Sequence, residues 1–569
     1  MNVNNFQIIL TLLGGLAVFI YGMNLMSDGL QKAAGDRMKN ILAALTKNPI
    51  IGVLAGALTT AVLQSSSATT VMVIGFVSAG LMTLPQAISV ILGANIGTTV
   101  TAQLIAFKIG DYAWLFVVVG FVMYFFFKKE KVVDIGQVMF GFGLLFVGIN
   151  TMSAIMKPLA ASPLFTDIMM NVQDIPALGV LIGTIMTVVV QSSSATIAVL
   201  QNLASQPGAD GVTSIIGLQG SLPILFGDNI GTTITALLAS IGASTNARRT
   251  AVSHTIFNLA GTFAFIWFMP LYAKFIAFVS PKGIEIEIIS REIANAHMFF
   301  NILNTLLWLP FIWVLVKIVT KLIPGEDKEI LPNAPMYLDY KIIESPVFAL
   351  HLATKELSRI ANIALNMIIE AKKAFLGEDK RAAEKVLEME DIVDSLQAET
   401  IKYLASIYTA ANLTEHQAIQ ISDLIHVASD IEHIGDHCTN IAEFAKEKIK
   451  NKYEFSDKAS AEIYECFDNI RRMTTDTIKC LEDGDTELAQ DVLAQEKEIN
   501  DMEDRLRLQH MKRLEEGKCS PEFTVMYIDI IHNIEKIGDY CTNIAQAVVK
   551  DIGFHKYNTI KPEKESKQV

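Results

Sequence analysis

Two short polar segments, Gln64-Ser65-Ser66-Ser67 and Gln191-Ser192-Ser193-Ser194, interrupt two hydrophobic stretches of this sequence, residues 49–80 and 176–204. Four consecutive polar side chains in the middle of a lipid-facing helix would be costly, because the hydrocarbon offers them no partners. Breaks in a helix at membrane depth are tolerated where they line a buried cavity. The sequence therefore predicts that both stretches are re-entrant hairpins or broken helices.

The polar segments belong to an internal repeat. The segment before them reads GMNLMS at residues 22–27 and GINTMS at 148–153. The segment after them reads GANIGTT at residues 93–99 and GDNIGTT at 227–233. Three matches in the same order, 126 to 134 positions apart, indicate that the first half of the chain is duplicated.

Charge separates the two halves of this chain of 569 residues. Residues 1–324 contain 16 basic and 12 acidic residues, whereas residues 325–569 contain 30 basic and 47 acidic residues. Hydrophobic residues make up 51% of the chain, which excludes disorder and a single ordinary soluble domain. The acidic balance argues against nucleic acid as a partner. We therefore expect a sparsely charged membrane half and an acidic, soluble half.

Seven further hydrophobic stretches are predicted to cross a bilayer, which takes roughly 20 apolar residues. They are residues 6–26, 83–107, 112–127, 134–156, 214–242, 250–279 and 293–321. Basic residues mark the cytoplasmic side, and they cluster at 128–131, 248–249 and 317–321. With these clusters inside, the N-terminus lies outside and the C-terminus inside. The two repeats then have opposite orientations, which is typical of alternating-access transporters with a site between the repeats.

The repeated motifs have the chemistry of a site for an anion and a cation. A broken helix exposes N–H groups where one half begins, which favour an anion, and carbonyl groups where the other half ends. Neutral oxygens of Gln, Ser and Thr suit sodium better than a divalent cation, which prefers carboxylates. Asp228 is the only acidic residue within these repeated motifs, and an intramembrane carboxylate indicates a cation or proton site.

Purely structural explanations compete with this interpretation. Ser and Thr in membrane helices often bond to carbonyl groups of their own helix or hold helices together. Asp228 could be a hydrated residue at the mouth of a cavity, and His254 and His297 are interpreted as hydrogen-bonded or interfacial. The duplication favours a functional role for the Gln-Ser-Ser-Ser segments. No Walker sequence and no nucleophile–base constellation occurs in the sequence, so we expect neither ATP-driven transport by this chain nor an enzyme.

Residues 10–310, which contain both repeats, resemble the type II sodium-dependent phosphate cotransporter family. The resemblance implies an alternating-access carrier that couples sodium to inorganic phosphate, with both hairpins forming the site. By position it points to Gln64, Ser65, Ser66, Ser67, Asn95, Thr98 and Thr99, and to Gln191, Ser192, Ser193, Ser194, Asn229, Thr232 and Thr233. Asp228 departs from the small residue usual in the family, which Ala94 matches, and leaves the number of sodium ions or a proton role open. The chain has no long cysteine-bearing loop and resembles the shorter bacterial form.

The acidic half has a repeat of its own, in which residues 431–442 match residues 534–545. Each copy carries a Glu-x-x-x-Asp pair whose two acids lie one helical turn apart and repel, so a cation would stabilise them. The acids are Glu432 with Asp436 and Glu535 with Asp539, and another helix of each copy adds Asp391 with Asp394 and Glu498 with Asp501. They could bind metal between helices, or they could form a solvated acidic face. His433 and His437 are interpreted as exposed, since the second copy has Lys536 and Tyr540 there.

Residues 340–555 resemble the PhoU domain. That resemblance implies an α-helical bundle of two similar three-helix units, in which Glu-x-x-x-Asp motifs bind a divalent or trivalent metal. It also implies regulation of phosphate uptake or signalling. The five cysteines all lie in this half and, placed inside the cell, are expected to be reduced thiols.

Together these patterns predict an all-α protein with a membrane domain at 1–324, built of repeats at about 6–127 and 134–279 and a last span at 293–321. A linker at 325–339, a PhoU-like domain at 340–555 and a tail at 556–569 follow. The predicted function is a sodium:phosphate symporter of the bacterial inner (plasma) membrane, with sodium as coupling ion and a cytoplasmic regulatory domain. A phosphate efflux carrier and a non-transporting phosphate sensor remain as alternatives. A homo-oligomer and a cytoplasmic signalling partner stay open.

Overall fold

The computed structural model of the chain describes residues 5–34, 48–107, 110–160, 175–208, 210–325, 333–343, 345–410, 413–517 and 524–550. The chain divides into two compact units, Met1–Lys328 and Glu329–Val569, and the division falls within the predicted linker. In the described ranges, regular structure is helical except for one isolated β-bridge between Pro207 and Ser214. The predicted all-α class is confirmed.

The first unit contains two similar series of helices, followed by four more. The first series is α1 (Asn5–Ala34), α2 (Pro49–Leu63), α3 (Ser66–Ser78), α4 (Leu84–Gly97), α5 (Thr99–Ile105) and α6 (Ala113–Phe126). The second is α7 (Glu130–Ala160), α8 (Pro176–Val190), α9 (Ser193–Ala204), α10 (Gly217–Gly231) and α11 (Thr233–Ala239). The last helices are α12 (Thr245–Trp267), α13 (Met269–Val279), α14 (Glu285–Trp308) and α15 (Ile312–Leu322).

Five described helical segments are long and apolar enough to cross a membrane. They are Ile9–Ala33, Leu84–Ile105, Glu130–Ile155, Gly217–Ala239 and Glu285–Leu322. The predicted span 112–127 is instead part of a shorter apolar helix, Gly110–Phe126. The predicted span 250–279 is not one straight helix, since α12 and α13 meet at a bend of 90°. Pro270, at the start of α13, lacks the N–H that would continue α12, and its ring clashes with the preceding turn.

Glycines bring each broken helix close to the helix that carries the Asn-Ile-Gly-Thr-Thr motif. A Cβ atom on Gly93 of α4 would overlap the carbonyl group of Val53 in α2. In the second series, a Cβ atom on Gly227 of α10 would overlap the carbonyl group of Val180 in α8. Only glycine permits backbones to approach this closely. The two repeats therefore pack in the same way, α2 against α4 and α8 against α10.

The second unit is a bundle of two similar three-helix units, as predicted. The first contains α16 (Pro346–Leu376), α17 (Lys380–Ala410) and α18 (Glu415–Asn451), and the second α19 (Asp457–Asp483), α20 (Thr486–Glu515) and α21 (Thr524–Val549). Apolar residues at helical spacing, such as Val386 and Val393 of α17, fill a common core. Helices α18 and α21, which carry the repeated acidic motif, pack against each other.

Candidate functional site

Both polar segments break a helix in the same way. Gln64 ends α2 in the left-handed conformation, with φ 52°, and Ser65 is then extended. The Oγ atom of Ser65 accepts a hydrogen bond from the N–H of Ala68 at 3.1 Å and so caps the start of α3. The second segment repeats this geometry, with Gln191 at φ 54° and Ser192 as the cap of α9. The predicted breaks are confirmed at the Gln-Ser step of each copy.

The two breaks line one cavity of about 240 Å³. All eight residues of the two Gln-Ser-Ser-Ser segments lie in its wall, together with Thr98 and residues of α1 that include Asn24 and Ser27. Helices α3 and α9 therefore begin at the same space, and the first N–H groups of a helix have no acceptor within it. Two helix starts with their partial positive charges favour an anion between them.

Side chains of opposite repeats meet at this cavity. The hydroxyl oxygens of Thr98, from the first repeat, and Ser193, from the second, lie 3.4 Å apart. Conversely, the hydroxyl oxygen of Thr235 in α11, which lies outside the cavity wall, is 3.1 Å from the Oγ atom of Ser67 and 3.0 Å from the carbonyl oxygen of Thr232. Thr235 is not among the predicted site residues, which end at the Thr-Thr pair of each motif. The repeat continues for two more residues, as TTVT and TTIT, and that signal would have found it.

The other predicted ligands of the Asn-Ile-Gly-Thr-Thr motifs lie outside the cavity wall. The hydroxyl groups of Thr99, Thr232 and Thr233 donate to carbonyl groups of the turn before them. The side-chain amides of Asn95 and Asn229 likewise donate to carbonyl groups four residues earlier. For these five residues the geometry favours the alternative interpretation, in which polar side chains bond to nearby carbonyl groups or hold helices together.

Asp228 is fully buried and does not lie at a cavity mouth, which excludes the hydrated position considered from the sequence. Its Oδ1 atom accepts a hydrogen bond from Thr187 at 2.7 Å, and the hydroxyl of Thr187 lies 3.1 Å from that of Thr196. The Oδ2 atom has no hydrogen-bond partner among the described residues. A buried carboxylate oxygen without a donor is costly unless a proton or a cation joins it.

The two breaks differ in their surroundings. Gln64 is buried, and its Oε1 atom accepts a hydrogen bond from Thr101 at 2.7 Å. The end of α2 is also tied to α1, because Ser27 donates to the carbonyl oxygen of Leu63 at 2.6 Å. Gln191, in contrast, is exposed. The first break is therefore held by hydrogen bonds from its neighbours, whereas the glutamine of the second break is exposed.

The first copy of the acidic motif forms a cluster on α17 and α18. Partial burial, followed by the charges of its acidic neighbours, raises the pKa of Glu390, and the same causes raise the pKa values of Asp394 and Glu432. Asp436 contributes to all three shifts. Sequence analysis named Asp391 and Asp394 and missed Glu390, although Glu390 and Asp394 also have Glu-x-x-x-Asp spacing.

His433 lies beside the acids of this cluster, and 45% of its side-chain surface is exposed. Its Nδ1 atom lies 2.9 Å from Glu432 and 3.9 Å from Asp436. Ligand atoms of these three residues all lie within 4.8 Å of one another. Among the described residues, the only ion pairs of Glu432 and Asp436 are with this histidine. The set fits the metal that the PhoU resemblance implies, since carboxylates and imidazole are ordinary ligands of transition metals.

The second copy differs because it contains its own cation. The ammonium group of Lys536 lies 2.7 Å from Asp539 and 3.3 Å from Glu535. Glu503 and His532 complete this cluster. Two predicted members are not shown there: Glu498 lies 3.4 Å from Arg472, and Asp501 is exposed. Ligand atoms of Glu503, His532 and Glu535 lie within 4.8 Å of one another, a spacing that could hold a metal ion. The ammonium group of Lys536 would repel a metal ion placed between Glu535 and Asp539.

The comparison with known families agrees with this division of the chain. Residues 18–154 and 155–279 match the family model of the Na+/Pi-cotransporter, and residues 357–445 and 463–548 match that of the PhoU domain. The uncharacterized protein YqeW of Bacillus subtilis is 31% identical over 308 residues, which are 54% of this chain and 96% of that protein. The chain belongs to the Na+/Pi-cotransporter family.

Relatives of this Na+/Pi-cotransporter chain also extend over both units. A protein of Salmonella typhimurium, named "Putative inorganic phosphate export protein YjbB", is 23% identical and covers 95% of this chain and 97% of its own length. The crystal structure of PhoU from Pseudomonas aeruginosa covers 35% of this chain and 93% of that chain, with 19% identity and a TM-score of 0.33. Family membership and the apolar helices identify a multi-pass membrane protein and support phosphate transport.

Proposed function

We propose that the chain couples the movement of inorganic phosphate to sodium, through alternating access to the cavity at the two Gln-Ser breaks. One observation carries the proposal: two helix starts and serines of opposite repeats meet in one cavity. A dianionic phosphate would accept hydrogen bonds from the free N–H groups and from the hydroxyls of Ser66, Ser67, Ser193 and Ser194. A rocking motion of one repeat against the other would change the side from which it enters.

Sodium has a candidate position beside Asp228. The carboxylate oxygens of Asp228 and the hydroxyl oxygens of Thr187 and Thr196 form a compact oxygen cluster. The first repeat has an equivalent pair, Thr60 and Thr69, whose hydroxyls are 2.9 Å apart, but Ala94 takes the place of the acid. We therefore assign the charged cation position to the second repeat, with a proton as the competing occupant.

A second candidate function is phosphate efflux by the same machinery. The relative from Salmonella typhimurium is named as an export protein and resembles this chain over 95% of its length. The direction of a coupled carrier follows from the ion gradients, so one cavity serves either direction. In both cases we place the chain in the bacterial plasma membrane with the PhoU-like unit in the cytoplasm, where the cluster around Glu432 would bind metal and bias transport.

Substitution of one serine tests the proposed site. Ser193→Ala removes a hydroxyl that lies in the cavity wall and meets the opposite repeat. We expect at least about tenfold lower phosphate flux in proteoliposomes, the cost of one lost hydrogen bond to a charged group. Ser89→Ala is the matched control, because the Ser89 hydroxyl bonds only to the carbonyl of Gln86 within α4. Equal flux from the two variants would refute the site.

A further inference from the structure

Helices α12 and α14 share a pattern that lies outside the repeats described above. It consists of His-x-x-Phe-Asn with a threonine four residues further on. It occurs as His254, Asn258 and Thr262 in α12 and as His297, Asn301 and Thr305 in α14. All six side chains are buried. The two helices thus carry a fourth duplicated motif of the membrane unit, besides the three that define the repeats.

Helix α12 contacts both repeats through these residues. The side-chain amide of Asn258 donates to the Oδ1 atom of Asn95 at 3.4 Å, in the first repeat. One turn further on, Thr262 donates to the carbonyl oxygen of Phe226 at 3.4 Å, in the second repeat. Helix α12 therefore connects α4 with α10 through buried hydrogen bonds.

Helix α14 makes the corresponding contacts with the repeats exchanged. Asn301 donates to the Oδ1 atom of Asn229 at 3.2 Å, and Thr305 donates to the carbonyl oxygen of Leu92 at 3.2 Å. Leu92 and Phe226 are equivalent positions of the two repeats, as are Asn95 and Asn229. The hydrogen bonds that connect α12 and α14 with α4 and α10 are thus related by pseudosymmetry.

The histidines break this symmetry. The Nε2 atom of His254 lies 3.2 Å from the Oδ1 atom of Asn95, to which it donates a hydrogen bond. Both ring nitrogens of His297 lack a hydrogen-bond partner among the described residues, although the ring is 1% exposed. A buried polar group without a partner costs free energy, so a second arrangement that supplied one would be stabilised.

We propose that His254 and His297 exchange roles between the two states of the transport cycle. In the state described by this structure, His254 holds Asn95 and His297 is released. In the opposite state, the repeats exchange conformations, so that His297 holds Asn229 and His254 is released. This rests on the proposed alternating access, and the histidines act as positioning residues because neither lines the cavity.

The two Gln-Ser breaks support the same assignment independently. The break of the first repeat is held, since Ser27 bonds to Leu63 and Thr101 bonds to Gln64. The break of the second repeat has an exposed Gln191. The repeat whose asparagine is held by a histidine is therefore also the repeat whose break is held by hydrogen bonds from α1 and α5.

Cysteine accessibility from the two faces of the membrane tests the exchange. Val190 lines the cavity at the second break and is partly buried, so Val190→Cys reports the side to which the cavity opens. The native thiols Cys438, Cys466, Cys480 and Cys541 are buried, and burial raises the pKa of Cys541 to about 11, so they react slowly. Cys519 lies outside the described residues and is replaced by serine.

The full-length chain is reconstituted in vesicles, and an impermeant maleimide is applied to either face. The measured quantity is a ratio of two labelling rates. The numerator is the rate at the membrane face from which the parent chain is labelled faster, and the denominator is the rate at the other face. His254→Ala should lower this ratio and His297→Ala should raise it, each by about threefold to tenfold for a hydrogen bond of ordinary strength. His254→Gln and His297→Gln keep a donor near the Nε2 position and should restore the ratio. Ser253→Ala, which loses only a bond to Thr250 within α12, should leave it unchanged.

Shifts of the ratio in the same direction, shifts opposite to those expected, or no shift would overturn the exchange. If an alanine variant does not reach the membrane, His254→Asn or His297→Asn replaces it, because asparagine is too short to reach the same partner. Phosphate flux in the same vesicles separates the two proposals. Normal sodium-dependent flux without the opposed shifts refutes the exchange alone, and opposed shifts without flux refute the transport function alone.

Discussion

The membrane unit and the PhoU-like unit are both built from duplicated motifs, but they use them differently. In the membrane unit the two Gln-Ser-Ser-Ser segments meet in one cavity. In the PhoU-like unit the two Glu-x-x-x-Asp pairs lie in separate clusters, each with its own neighbours. A shared site needs both copies, whereas separate sites can change one at a time. Lys536 in the second acidic cluster is such a change.

The largest expected effect concerns Asp228, the only charged residue within the repeated motifs of the membrane unit. Asp228→Asn keeps the shape of the side chain and removes the charge next to Thr187. We expect the sodium concentration for half-maximal flux to rise about tenfold to a hundredfold, with less effect on the phosphate KM. The measurement is phosphate flux against sodium concentration. Asp210→Asn, at an exposed acid of the same unit, is the control, and identical sodium curves for both variants would contradict the assignment.

Two single substitutions should each change which of the acidic clusters binds metal. Lys536→His removes the internal cation and should allow a second metal ion or cluster to bind. His433→Lys places an ammonium group between Glu432 and Asp436 and should abolish binding at the first cluster. Metal content of the purified full-length chain, measured after equilibration with Mn²⁺ or Fe³⁺, checks both changes. The same metal content in the parent chain and both variants would show that the lysine is not decisive.

Substitution of the two glutamines at the breaks should lower phosphate flux in both cases but lower stability in only one. Gln64→Ala leaves the hydroxyl of Thr101 without its partner in a buried place, at a cost of about 1–3 kcal/mol. Gln191→Ala should change stability by about 0.5 kcal/mol or less, since exposed positions away from special contacts usually do. Both should reduce flux. Thermal unfolding in detergent compares the two variants, and equal losses of stability would argue against the difference between the breaks.

The smallest effect is a pH dependence of the metal-free PhoU-like unit. The pKa values of Glu390, Asp394 and Glu432 are raised by burial and by neighbouring acids. The folded state then binds more protons than the unfolded state, so stability falls as the pH rises from about 4 through the raised values. Added metal should reduce this loss. Unfolding of the chain at several pH values, with and without a chelator, measures it, and increasing stability over the same interval would contradict the cluster.

Sequence analysis predicted the breaks because four polar side chains cannot lie in lipid, and this constraint holds whatever the tertiary structure. It did not predict which threonines reach the cavity. Thr99, Thr233 and Thr235 all lie within hydrogen-bond distance of a carbonyl group three residues earlier, but only Thr235 also reaches Ser67 of the other repeat. Side-chain direction decides between these outcomes, and motif spacing alone does not fix it.

Two further structural features have a signal in the sequence, and one does not. Pro270 lies inside the predicted span 250–279 and accounts for its bend. Glu390 and Asp394 repeat the Glu-x-x-x-Asp spacing on a second helix. The contact of Lys536 with both acids of its motif depends on rotamers that the sequence does not give.

The central claim is that one cavity, shared by both repeats, couples phosphate to sodium. Radiolabelled phosphate flux in proteoliposomes, with a sodium gradient imposed in either direction, tests it most directly. The account predicts that phosphate accumulates on the side toward which sodium flows and that reversal of the gradient reverses the flux. Flux that is independent of the sodium gradient would contradict the coupling, and the absence of any flux would leave the chain as a sensor.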